Sequence, residues 1–165
     1  MSIVGNHQVD RTMDDSNPLL EISVGVMILV VIIFVHGMGM RLVNRRFNAA
    51  WARVTPASPV WRTESLLAIA ISSLAVVHLI ETLLWAMPLY LMGIIPKMRD
   101  CYYYVLESYT TLGEGNVVLP ERWRLIGPII AMSGLFTFGW TASVLVNIMT
   151  EFGKLDRARA DKGIE

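Results

Sequence analysis

Asp100 to Asn116 restricts the fold more than any other stretch, because it is apolar enough to enter a membrane and too short to cross one. Its first half, Asp100 to Tyr109, makes about three helical turns, roughly 15 Å at 1.5 Å per residue. That is half of a hydrocarbon core about 30 Å thick. Thr110-Thr111-Leu112-Gly113-Glu114-Gly115-Asn116 follows. Two glycines flanking one residue let the backbone take positive φ and bend tightly with its carbonyls left free. Non-helical backbone at membrane depth survives only where it is buried in protein or lines water. A half-span helix that delivers a glycine-bearing strand between two spanning helices is therefore a pore loop.

The flanking chain supplies the spans. Asn17-Pro18 is a helix start, a capping side chain followed by proline at the first helical position. Leu19 to Leu42 is then apolar except for Glu21 and His36, and its length reaches about 36 Å. Arg41, Arg45, Arg46, Arg53 and Arg62 follow, with no acidic residue until Glu64. They place this connection on the cytoplasmic side. Leu42, Phe47, Ala50, Trp51 and Val54 interleave with them, which suggests a basic amphipathic helix lying on the membrane and broken at Pro56 and Pro59. Arg41, Arg45, Arg46 and Arg53 are candidates for contact with anionic lipid. The second span runs from Leu66 to about Met87, with Pro88 placed to kink its end. The third, Leu125 to Met149, carries no formal charge, and Pro128 falls in its first turn, where proline is tolerated.

The reading is thus an all-α membrane protein of three transmembrane helices with a re-entrant pore helix and filter loop. Its parts are an extracytoplasmic tail (1–18), a first transmembrane helix (19–42), a basic cytoplasmic linker (43–64) and an outer pore helix (65–95). The pore helix and filter (100–116), an inner pore helix (124–150) and a cytoplasmic tail (151–165) follow. The N-terminus is expected outside and the C-terminus inside, with the loop entering from outside. The opening residues lack the basic segment of a signal peptide, so no cleavage is expected.

Polar side chains inside the spans mark candidate sites, because ionisable groups in lipid are costly and turn toward protein. His78, Glu81, Thr82 and Trp85 share one helical face by their spacing. The plainer role for His78 and Glu81 is a hydrogen-bonded pair that locks the second span; the sharper one is a proton-sensitive gate, since histidine titrates near neutral pH. His36 reads as an interfacial side chain near the cytoplasmic end of the first span. Gly134 and Gly139 are either hinges of the inner helix or points of close helix approach, and the second requires less. Trp123 suits the headgroup level, as do Tyr102, Tyr103 and Tyr104.

Thr111, Leu112, Gly113 and Gly115 make this loop resemble the filter of potassium channels, usually T-V-G-Y-G-D. Trp123-Arg124, the run from Gly134 to Trp140, and His78, Glu81 and Trp85 extend the likeness to the small prokaryotic two-helix-pore channels, over about residues 66 to 149. The resemblance implies a homotetramer. It also implies that backbone carbonyls of Thr111, Leu112, Gly113 and Glu114, with the Thr111 hydroxyl, replace the hydration shell of a permeant potassium ion. Gly115 and Asn116 complete that filter, and Glu107, Thr110 and Trp123 support it. Two residues depart from the pattern: Glu114 stands where tyrosine is usual and Asn116 where aspartate is. If the Glu114 side chain lies behind the filter, a partner is required, and a close approach of Glu107 would make conduction respond to external pH. If four copies of Glu114 face the axis, they form an acidic ring suited to a non-selective or divalent cation channel.

Composition narrows the remaining classes. Of the 165 residues 17% are charged, below the roughly 25% usual in soluble domains, and the formal net charge is zero, which argues against nucleic acid as a partner. A single cysteine, Cys101, excludes an intrachain disulfide. No paired-histidine metal spacing or nucleophile–base motif supports an enzyme, and no cofactor is implied beyond the permeant ion. A non-conducting accessory subunit is the other alternative, and four basic and four acidic residues after Met149 are too few for a ligand-binding domain.

Overall fold

The first helix begins where the Asn-Pro signal places it. In the computed structural model, which describes residues 17–113 and 115–163, the Asn17 side chain accepts a hydrogen bond from the Leu20 amide and proline opens helix α1, Pro18–Trp51. The tail before residue 17 and Glu114 lie outside the described residues. α2 is Val60–Leu91, α3 is Met98–Tyr109, and α4 is Ile126–Ala160, preceded by a 3-10 turn at Glu121–Trp123. Three of these, α1, α2 and α4 with its leading turn, are long and apolar enough to cross a membrane. At 1.5 Å per residue each is about 50 Å long and overshoots a core of about 30 Å. α3 has 12 residues, about 18 Å, and spans only half of one.

α3 is wedged among the three long helices at one end of the bundle. Ile28 and Ile32 of α1, Trp85 and Leu89 of α2, and Ile126 and Ile130 of α4 close around Cys101, Val105 and Tyr109 of α3. At the opposite end Phe47 and Trp51 pack with Phe152, the Trp51 and Phe152 rings 4.6 Å apart. The basic segment is thus a continuation of α1 rather than a separate helix on the membrane surface: Phe47 and Trp51 bury against α4 because it offers an apolar partner. The arginines at 41, 45, 46 and 53 remain exposed.

Polar contacts fix which ends lie together. Glu21, 4% exposed, accepts from the Leu125 amide at the start of α4, where a helix N-terminus favours a negative charge. Arg159 near the end of α4 donates to the carbonyls of Pro56 and Ser58 in the turn between α1 and α2. The α1 N-terminus therefore shares a side with the pore loop, and the basic turn shares the other with the end of α4, as the expected relative topology requires.

α2 runs past Pro88 to Leu91, and the chain then reverses at Gly93 with φ 68°. Outward faces are strongly apolar: Met27, Val30, Phe34, Leu135, Phe136 and Val146 are all at least 60% exposed in the single chain. A lipid solvent accepts such a surface, since helical backbone groups away from the helix ends pair within their own segment.

Candidate functional site

The pore loop leaves α3 through backbone conformations that L-residues rarely adopt. Thr110 caps the helix at φ −87° and ψ 0°, and its hydroxyl returns to the Leu106 carbonyl. Thr111 then takes φ 59°, Gly113 φ 64° and Gly115 φ 74°, while Leu112 keeps a negative φ. Left-handed conformations at Thr111, Gly113 and Gly115 require glycine or tolerate strain, and Thr111 carries that strain here. The Leu112 amide bonds the Glu107 carbonyl at 2.9 Å.

Glu107 stands behind the loop. Its side chain, 5% exposed, accepts from the Gly115 amide through Oε1 at 2.6 Å, and the Asn116 amide donates to the Tyr103 hydroxyl at 3.3 Å. The expected approach of Glu107 to Glu114 lies outside the described residues. Two of the three tyrosines pack inward, Tyr102 accepting from Thr82 and Tyr104 abutting Gly127, while Tyr103 stays exposed. Trp123 is also drawn inward, 8% exposed within the core around Ile126, because the 3-10 turn folds it under the loop.

Gly134 lets the pore helix seat on α4. A Cβ there would fall inside the van der Waals envelope of the Tyr109 carbonyl oxygen, so close approach accounts for this glycine. Gly139 has open space around it, and α4 is continuous through both.

A second constellation lies beneath the loop. Glu81, fully buried, is hydrogen-bonded through Oε1 to His36 Nδ1 at 2.7 Å and accepts from the Tyr109 hydroxyl at Oε2 at 2.5 Å. His78 Nδ1 lies 2.9 Å from the Tyr109 oxygen and 3.5 Å from Glu81 Oε2, and its Nε2 bonds Thr141 at 2.9 Å. Tyr109 also meets Thr137 of α4, and Trp85 Nε1 donates to Ser133. All three long helices and the end of the pore helix thus meet at one polar cluster. His36 is fully buried in it rather than interfacial. Sequence reasoning paired His78 with Glu81 from their spacing but missed His36 and Tyr109, which reach the cluster from other helices.

A half-span helix, a strained glycine-bearing loop at its end and three spanning helices define the architecture of a pore-loop membrane protein. Residues 77–151, just under half of the chain, match a family model described as "Ion channel". No curated protein and no solved structure gives a significant match. The matched segment covers the second half of α2, the pore loop and most of α4, and supports a cation-channel function for this multi-pass membrane protein.

Proposed function

We propose that this chain is the pore-forming subunit of a homotetrameric potassium channel of the cell (inner) membrane, with its N-terminus outside and its C-terminus in the cytoplasm. The filter is Thr111 to Asn116, Glu114 included. One observation carries the reading: positive φ recurs at Thr111, Gly113 and Gly115 directly after a buried half-span helix. The alternation over Thr111, Leu112 and Gly113 gathers successive amides on one side of a ribbon and leaves the carbonyls for the other. The Gly115 amide points back to Glu107, so the carbonyl side faces away from the protein. There the carbonyls stand in for the hydration shell of a dehydrated cation, and adjacent sites allow knock-on conduction. The negative end of the α3 dipole favours a cation below the loop. One loop does not enclose an axis, and four copies do. The exposed Arg41, Arg45, Arg46 and Arg53 suit anionic headgroups on the cytoplasmic side.

The test is the reversal potential of purified protein in planar bilayers, with potassium on one side and sodium on the other. A value near the potassium equilibrium potential is expected. A reversal near zero with substantial current replaces this reading by a non-selective pore with Glu114 at its mouth, and absence of current supports an accessory subunit. Glu107→Ala leaves the Gly115 amide without its acceptor, a loss of about 1–3 kcal/mol. Potassium current at equal protein is expected to fall about tenfold or more, since 1.4 kcal/mol is a factor of ten. Glu107→Gln, which keeps an oxygen acceptor, is expected to retain most of it.

A further inference from the structure

The cluster beneath the loop has the composition and spacing of a cation site of its own. We propose that His36, His78 and Glu81 bind a divalent transition-metal ion, zinc foremost, that ties α1 and α2 together at the end of the pore helix. The inference rests on the packing of these helices and is independent of how the loop conducts.

One ligand atom from each of the three residues lies within 4.8 Å of the others. Zinc bonds of about 2.0–2.1 Å in a tetrahedron hold ligand atoms roughly 3.3 Å apart. His78 Nδ1 and Glu81 Oε2 are already at 3.5 Å, and His36 Nδ1 at 2.7 Å from Oε1 needs only a small side-chain shift. The outer partners of His78 and Glu81 are also those of a metal site. Ligating histidines characteristically have their second nitrogen held, and ligating carboxylates are themselves hydrogen-bonded. Thr141 holds His78 Nε2, and the Tyr109 hydroxyl holds Glu81.

As a purely structural network the cluster is incomplete. His36 is fully buried, and its Nε2 has no hydrogen-bond partner among the described residues, which is costly for a polar atom in a dry site. Two imidazoles and one carboxylate favour zinc, cobalt, nickel or copper over magnesium and calcium, which prefer all-oxygen shells. His78, with its side chain 12% exposed and its ring 4.5 Å from Phe138, is the point of entry.

The experiment uses the full chain in detergent micelles, freed of any polyhistidine tag, titrated with cobalt and followed by the visible bands of four-coordinate cobalt. One ion per chain is expected, displaced by zinc and not by magnesium. His36→Gln and His78→Gln should each weaken binding at least tenfold, and His7→Gln should leave it unchanged. X-ray absorption of the zinc-loaded native chain needs no variant and should show two imidazole ligands. Absence of cobalt binding, a zinc shell without imidazole, or undiminished affinity in the folded double histidine variant would overturn the proposal.

Discussion

Replacing Glu81 by leucine is expected to destabilise the chain by about 3–5 kcal/mol, the cost of breaking a buried, hydrogen-bonded charged cluster by removing one member. Glu81 is fully buried and joins His36 and Tyr109 from two other helices. Leucine fills the space but leaves His36 Nδ1 facing an apolar side chain, while the Tyr109 hydroxyl keeps Thr137 and His78 as partners. Glu81→Gln should lose less, because one amide oxygen still accepts from one donor. The measurement is the unfolding midpoint in mixed micelles of fixed composition, with native protein and both variants compared. The fourfold change His36→Leu, His78→Leu, Glu81→Leu and Tyr109→Phe removes the ionisable members together and should recover much of the loss, since apolar groups can replace a buried network at little cost. A single Glu81→Leu variant as stable as the native chain would show that the cluster carries no structural weight.

Gly134→Ala is expected to act through the backbone. Its new methyl group meets the carbonyl oxygen of Tyr109, which no change of rotamer can move aside. Overpacking typically costs about 1–3 kcal/mol, and here relief requires the pore helix itself to shift from α4. The Thr110–Thr111 segment follows that helix end directly, so loss of most of the current is expected even where the chain still folds. Gly139→Ala is the internal comparison. Nothing lies within 4 Å of its new Cβ, and alanine in a helix interior is favoured over glycine by roughly 0.5–1 kcal/mol. Parallel thermal melts and bilayer currents should separate the two variants clearly. Equal effects would mean that the glycines act together as hinges rather than one as a seat.

The half-span length of Asp100–Tyr109 and the Gly-x-Gly spacing made the pore-loop architecture legible in the sequence, because length against bilayer thickness is a constraint that tertiary packing cannot alter. The Asn17 cap and the shared face of His78, Glu81 and Trp85 were legible for the same reason, being local and periodic. What was not legible depended on where a helix stopped. The first span was expected to end at Leu42, which set His36 near an interface; α1 instead continues to Trp51, which places His36 midway along it. Phe47 and Trp51 looked like membrane-facing residues because the aromatic partner Phe152 is far along the chain. Tyr109 was hidden by its neighbours: a fourth tyrosine near Tyr102, Tyr103 and Tyr104 reads as more of the same, and only the wedge of α3 between α2 and α4 gives it a separate task. Glu107 was expected behind the loop from its position before Thr111, and its bond to Gly115 is a contact that spacing alone does not specify.

α1 is fastened at three heights: Glu21 to the start of α4, His36 to Glu81, and Phe47 with Trp51 to Phe152. Mechanically it is a splint along the full depth of the subunit. The far end of α4 cannot swing outward as a free lever, because it carries the splint and the turn gripped by Arg159. Opening at that end is therefore expected as a tilt of the whole three-helix unit, a motion whose energy scales with the membrane it displaces. Bilayer thickness and tension then become the natural levers on such a pore.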